Sequence, residues 1–281
     1  MLKKIFVVVA LCSAVLAAGV IATGYSKEEK KVLRIGMECT SAPYNWTQTT
    51  PEGGAVRIAG SSDEYAYGYD VIISKMLANA LGMELEIHKI EWNSLPPAIV
   101  SGKIDAAVAG MGITEERKHS LDFTIPYYYG FIVGLVRRDS PLVNAKSLED
   151  LRGVSATSMF NTMWYDHVDQ IPGVNKLPPL DTVPAMVVSL ESGKCDFLVV
   201  DVPSALAVQA TNPGLVMLDF PEGKGFVFTR EDVDIGIALK KGNTELLNAM
   251  NEVLSKMTDE DRKDLMDMAI AAQPLAKFQQ N

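Results

Sequence analysis

Cysteine, histidine and the common catalytic signatures are all scarce in this 281-residue chain. Of its three cysteines, Cys12 lies in an apolar leader, while Cys39 and Cys195 fall near the ends of strands in different repeat units. That placement predicts free buried thiols rather than a disulfide staple. His88, His119 and His167 are far apart, with no His-Glu-x-x-His helix and no paired cysteines, so no zinc site is supported. There is no Gly-x-Ser-x-Gly elbow, Gly110-x-Gly112 lacks the third glycine of a dinucleotide fingerprint, and no phosphate-cradling Gly-x-x-x-x-Gly-Lys loop occurs. No cofactor is implied. Basic charge is short as well, with 26 Lys and Arg against 35 Asp and Glu, which argues against a nucleic acid partner.

What is present is ordinary globular material, 48% hydrophobic and 22% charged, long enough for two domains with separate cores. The first segment stands apart. Met1-Leu2-Lys3-Lys4 precedes an uncharged run from Ile5 to about Thr23, so residues 1–24 read as a signal peptide or a retained N-terminal anchor. Removing it takes away Lys3 and Lys4 and no acid, leaving 24 basic against 35 acidic residues and a net charge of −11. Acidity of that kind keeps an exported protein soluble.

Two stretches read almost alike, Ser101-Gly102-Lys103-Ile104-Asp105-Ala106-Ala107-Val108-Ala109-Gly110 and Ser192-Gly193-Lys194-Cys195-Asp196-Phe197-Leu198-Val199-Val200-Asp201. In each, a helical pattern stops at glycine, and Asp leads into small or apolar residues expected of a strand buried on both faces. The first opens into Gly110-Met111-Gly112-Ile113-Thr114-Glu115-Glu116-Arg117, where glycines leave backbone N–H groups reachable and Arg117 adds a guanidinium fork. That is either a carboxylate trap or an ordinary capped helix whose Arg117 pairs with its own acids. The second ends on Asp201, an anion that would welcome a buried ammonium. Together they suit a zwitterion.

The rest of the chain repeats one order. Val32–Met37 reads as a first strand ending at Glu38, Asp70 to Leu81 as a helix ending at Gly82, and Glu84–Lys89 as a strand followed by Trp92, which is either core or a pocket wall. The segment 47–67 carries scattered Gly, Pro and Ser between short β-prone pieces and reads as an elongated hairpin or surface loop. After Phe131–Val136, which crosses between halves, strand, helix and strand return. There Phe160-Asn161-Thr162-Met163 lies where a strand turns into a helix, either a routine start or a set of amides facing an anion. Val233–Leu239 is expected to carry the chain back as a single strand. Two α/β lobes joined by two crossing segments result.

The series Gly68-Tyr69-Asp70, Trp92, Ser101 to Asp105, Ala109 to Arg117, Asp122-Phe123, Pro126-Tyr127-Tyr128, Asp196 to Asp201 and Gly236 to Gly242 resembles the polar amino acid-binding proteins of bacterial ATP-binding-cassette importers. The resemblance implies a two-lobed periplasmic-binding (type II) α/β fold, each lobe a mixed or parallel sheet flanked by helices, with two hinge strands. Lobe 1 would take residues 33–130 and 236–281, and lobe 2 residues 131–235. It implies that Arg117 and the amides of Gly110 and Gly112 hold an α-carboxylate with Thr162 and the Met163 amide, and that Asp201 holds the α-ammonium. Relatives often carry Ser or Thr where this chain has Gly112. Glu38 and Asp70 match positions facing the far end of basic ligands, Trp92 offers a ring face, and Met159 an apolar wall. The expected role is capture of a free amino acid, arginine or lysine before glutamine or another polar one, for delivery to a membrane permease. The protein is then a periplasmic or extracellular monomer and not an enzyme. The rival is an exported enzyme on the same scaffold, such as a dehydratase of amino acid-like substrates, with Glu38 as its acid.

Overall fold

The computed structural model describes residues 31–273. The leader 1–24 and the chain after Gln273 lie outside the described residues.

Two five-stranded sheets dominate, and they share one plan. In the first, Val32–Met37 is flanked by Glu84–Lys89 and Ala106–Ala107, all parallel, and the antiparallel strands Ala238–Lys240 and Leu121–Phe123 follow. The second places Ser155–Thr157 between Asn175–Lys176 and Phe197–Asp201, again parallel, followed by antiparallel Ile132–Arg137 and Leu215–Leu218. In both sheets a strand contributed from the crossing region lies fourth. Helices pack against each sheet, giving the two-lobed α/β architecture.

The twin Ser-Gly-Lys-x-Asp stretches serve as matching entry turns. Gly102 and Gly193 adopt φ of 76° and 73°, the left-handed conformation that costs glycine little. Each following aspartate then clamps the first strand of its own lobe. Asp105 accepts from the Arg34 amide at 2.8 Å and from the Arg34 guanidinium at 2.6 Å, while Asp196 accepts from the Ser155 amide at 3.1 Å. The third strand of each sheet therefore starts in register, and its far end is aimed at the same crevice.

Between the lobes runs an antiparallel pair, Tyr128–Tyr129 with Asp234–Ile235. The expected single strand over 233–239 is broken at Gly236, because residues 234–235 pair in this ribbon and residues 238–240 pair in the first sheet. A β-carbon on Gly236 would lie 2.8 Å from the Ile113 side chain, so the bend needs glycine. The region 47–67 takes the hairpin alternative rather than the surface loop, its strands pairing antiparallel. With Thr40–Ser41 it forms a four-stranded sheet of very short strands, including Asn45–Gln48, Val56–Arg57 and Tyr65–Tyr67. Cys39 and Cys195 are free and buried.

Candidate ligand cleft

A narrow cavity lies between the lobes. It is lined from the first lobe by Glu38, Ser41, Tyr44, Trp92, Gly110, Gly112 and Arg117, and from the second by Met159, Thr162, Met163, Trp164 and Asp201. Arg117 and Asp201 thus face one space from opposite sides.

Arg117 sits in the short helix Glu115–Lys118, which Thr114 caps by accepting from the Arg117 amide. Its guanidinium does not pair with its neighbouring acids, since Glu115 is taken by Lys118 at 2.7 Å. Instead Nη1 donates to the Gly112 carbonyl and Nη2 to the Asn161 carbonyl, both at 2.8 Å, with the Trp92 ring 5.3 Å away. Burial pulls the Arg117 pKa below its ordinary value, with Glu116 and Asp166 opposing. Arginine stays charged regardless, and its fork retains N–H groups for a carboxylate.

Asp201 ends the strand Phe197–Asp201 and caps the helix Val202–Thr211. One carboxylate oxygen accepts from the Ser204 amide at 2.9 Å, the other from the Tyr44 hydroxyl at 2.6 Å. Burial pushes its pKa up, against the pull of those hydrogen bonds. Glu38, at the exit of the first strand, is 6% exposed and accepts from the Ser41 hydroxyl at 2.9 Å. Its pKa is pushed up to about 7, chiefly by burial, with Glu91 and Asp70 adding and Ser41 opposing.

Asp70 is not a cleft residue. It is fully buried, accepting from the Tyr127 hydroxyl at 2.6 Å and the Asn45 side-chain amide at 2.7 Å. From the first turn of the helix Tyr69–Ala80 its side chain points into the framework, where it ties that helix to the loops behind the cleft. Gly110 needs a second correction. It lines the cavity, but its amide donates to the Tyr127 hydroxyl at 2.9 Å and the Tyr44 ring covers its face, so that amide is not offered to a ligand.

Gly112 lies against the second lobe. A β-carbon there would lie 2.1 Å from the Met163 methyl, which reaches across from the second lobe. Thr162 stands at the start of the helix Met163–His167 without a side-chain cap bond, its hydroxyl donating instead to the Met159 carbonyl at 2.7 Å. Met159 is buried in the wall, and Trp92, also in the wall, donates from its indole to the Asn161 carbonyl at 3.3 Å. The set presents a cation, Arg117, and an acid, Asp201, at separate points of one cavity. Among the described residues no cluster of His, Cys, Asp and Glu could hold a metal.

The pattern of the bacterial extracellular solute-binding proteins, family 3, matches residues 33–267. The chain belongs to that family. This family-3 protein is 28% identical over 232 residues to the L-cystine-binding protein TcyJ of Escherichia coli (strain K12), across 82% of this chain and 79% of the relative. It is also similar to an amino acid ABC transporter substrate-binding protein from Streptococcus pneumoniae bound to L-arginine, with TM-score 0.72 and 25% identity over 85% of this chain and 94% of the other. A third likeness is to the ancestral amino acid-binding protein AncCDT-1, a precursor of cyclohexadienyl dehydratase. There the TM-score is 0.68 and the identity 27%, covering 85% of this chain and 95% of that one.

In this solute-binding protein, sequence reasoning overlooked Tyr44, Ser41 and Trp164, and it gave Asn161 a place only among amides that could face an anion. Asn161 has φ of 59°, and its carbonyl serves both Arg117 and Trp92, while its side chain donates to Asn93 at 3.1 Å. The one sequence hint was an Asn inside a strand-to-helix turn, a residue that tolerates the left-handed region.

Proposed function

We propose that the protein captures a free amino acid with a basic side chain and delivers it to the membrane permease of an ABC importer. The observation that carries this reading is the placement of Arg117 and Asp201 on opposite walls of one cavity, a cation and an anion for the two ends of a zwitterion. Arg117 and the backbone amides of Gly112, Thr162 and Met163 take the α-carboxylate, the Thr162 hydroxyl being committed to the Met159 carbonyl; Asp201 takes the α-ammonium. Closing the cleft strips water from these groups, and the charge-assisted bonds then shift the open–closed equilibrium. Glu38 is a second buried acid in the same wall, and a ligand cation beside it would offset the cost of ionising it there. Trp92 supplies a ring face and Met159 an apolar surface for the ligand's stem. A division with lobe 1 taking residues 33–130 and 236–281 and lobe 2 residues 131–235 is part of this reading, and it is supported by the ribbon of Tyr128–Tyr129 with Asp234–Ile235 near both proposed crossings. The protein works outside the cytoplasm as a monomer, exported by residues 1–24.

Calorimetric titration with free amino acids tests the reading. L-arginine or L-lysine should bind well below millimolar, and no standard amino acid doing so overturns it. One observation favours a second reading, an exported dehydratase on this scaffold. A buried carboxyl with a pKa of about 7 is poised as a general acid near neutral pH. Incubation of the pure protein with prephenate or arogenate separates the two, since a binding protein leaves both unchanged.

A further inference from the structure

The cleft holds one side chain whose function neither its charge nor its family role explains. Tyr44 is buried at 3% exposure, and its backbone is fixed on both sides. Its carbonyl accepts from the Asp70 amide at 2.8 Å, and a β-carbon on Gly68 would lie 2.3 Å from the same oxygen. The ring lies over Gly110, where a β-carbon would sit 3.3 Å from Tyr44 Cγ, and meets Tyr128 edge-on at 6.3 Å. The ring is therefore packed on several sides. Its hydroxyl is thereby delivered across the cleft to Asp201 Oδ2 at 2.6 Å, joining lobe to lobe.

A phenol has one proton to donate and lone pairs with which to accept. Tyr44 spends its proton on Asp201, so the remaining lone pairs on its oxygen are available only to a donor. The phenol stays neutral, because burial first and the Asp201 charge second push its pKa well above the ordinary value. Asp201, with one oxygen held by the Ser204 amide and the other by Tyr44, keeps acceptor capacity of its own. Gly130 leaves room beside it, since a β-carbon there would be 3.0 Å from Oδ2. The result is a pair of oxygens, one neutral and one anionic, from opposite lobes and 2.6 Å apart.

We infer that Tyr44 and Asp201 form one receptor for a primary ammonium, with the Tyr44 hydroxyl oxygen accepting a hydrogen bond from the ligand while it donates to Asp201. Tyr44 is then a specificity-determining residue for the amino end of the ligand. An ammonium with three N–H donors can bridge both oxygens, whereas a ligand without it leaves them only each other. This rests on the proposed amino acid-binding function and adds a residue to its site.

The test is Tyr44→Phe, which keeps the ring and removes the oxygen. Wild type and variant are titrated with L-arginine and with 5-guanidinopentanoate, the same molecule lacking the α-ammonium. The expected result is an affinity loss of about 10- to 100-fold for L-arginine, in line with one hydrogen bond to a charged group, and a change under about threefold for the deamino compound. Equal losses for both ligands, which a purely structural role would produce, overturn the inference, and so does a loss under about threefold for L-arginine. Should the variant fail to fold, the ¹³Cζ resonance of Tyr44 in the wild type decides. It moves with L-arginine and not with 5-guanidinopentanoate if the inference holds, and an identical response to both sinks it. If wild type prefers L-histidine or L-cystine, the same comparison is made with that amino acid and its deamino analogue. Wild type binding no amino acid defeats the function itself; wild type binding one while Tyr44→Phe matches it defeats only the role of Tyr44.

Discussion

Ligand affinity should depend on pH through Glu38, and the size of the effect can be worked out. Burial raises the Glu38 pKa to about 7, whereas a ligand cation beside it would favour the charged form and bring it down. A basic ligand therefore selects ionised Glu38. With a pKa near 7, roughly three quarters of the sites are ionised at about pH 7.5 and only about 3% at about pH 5.5, so affinity for L-arginine should fall by about 25-fold over that interval. The sign for folding is opposite. A carboxyl whose folded pKa lies above its unfolded one binds more protons when folded, so its contribution to stability is full below the unfolded pKa and is lost as pH rises through about 7. The window runs from the ordinary carboxylate value of 4.5 to about 7, a contribution on the order of 3 kcal/mol. Glu38→Gln should thus melt at a higher temperature than wild type above neutral pH and bind L-arginine more weakly, with little pH dependence left. The assays are calorimetric titration and thermal melts across the same pH series. Wild-type affinity that stays flat across the interval, or a slope that survives in Glu38→Gln, would refute the assignment.

Three further outcomes are expected. Arg117→Ala should weaken amino acid binding by several kcal/mol, about two orders of magnitude or more in Kd by calorimetry, because the ligand carboxylate would be buried without its cation; near-wild-type affinity would count against it. Tyr127→Phe strands both the Gly110 amide and an Asp70 oxygen in the interior, so it should cost about 2 kcal/mol or more in a denaturant melt. Gly134→Ala should destabilise by about 1–3 kcal/mol, since the new methyl would lie 1.9 Å from the Phe197 ring, and Phe197→Leu in the same chain should recover part of the loss.

The parts of the fold that could be read from sequence were those with a local cause. The entry turns at Gly102 and Gly193, the apolar runs after Asp105 and Asp196, and the helix starting near Asp70 all carry their signals within ten residues of chain. Arg117 and Asp201 were found for the same reason, as the ends of legible elements. Asp70 was misplaced because its direction depends on Tyr127 and Asn45, 57 and 25 residues away. The Gly110 amide was assigned to a ligand because nothing near it in sequence reveals that a tyrosine hydroxyl already takes it. Tyr44 escaped notice altogether. Its partner lies 157 positions along the chain, and the strands around it, two to four residues long, are too short to show a period. Gly112 was noted as a missing hydroxyl, and the space a β-carbon would take is filled by the tip of the Met163 side chain from the other lobe, a contact that lies 51 positions away in sequence.

The ribbon between the lobes restricts how one could move against the other. Its two strands are joined to each other at Asp234 with Tyr129 and Ile235 with Tyr128, and the returning strand is then pinned to the first lobe where Ile237 donates to Thr124. A paired ribbon can bend and twist, yet one strand cannot slide past the other without breaking its ladder. Any opening about this ribbon would therefore be a swing about a fixed line, which would bring Asp201 back to its place within hydrogen-bonding reach of Tyr44.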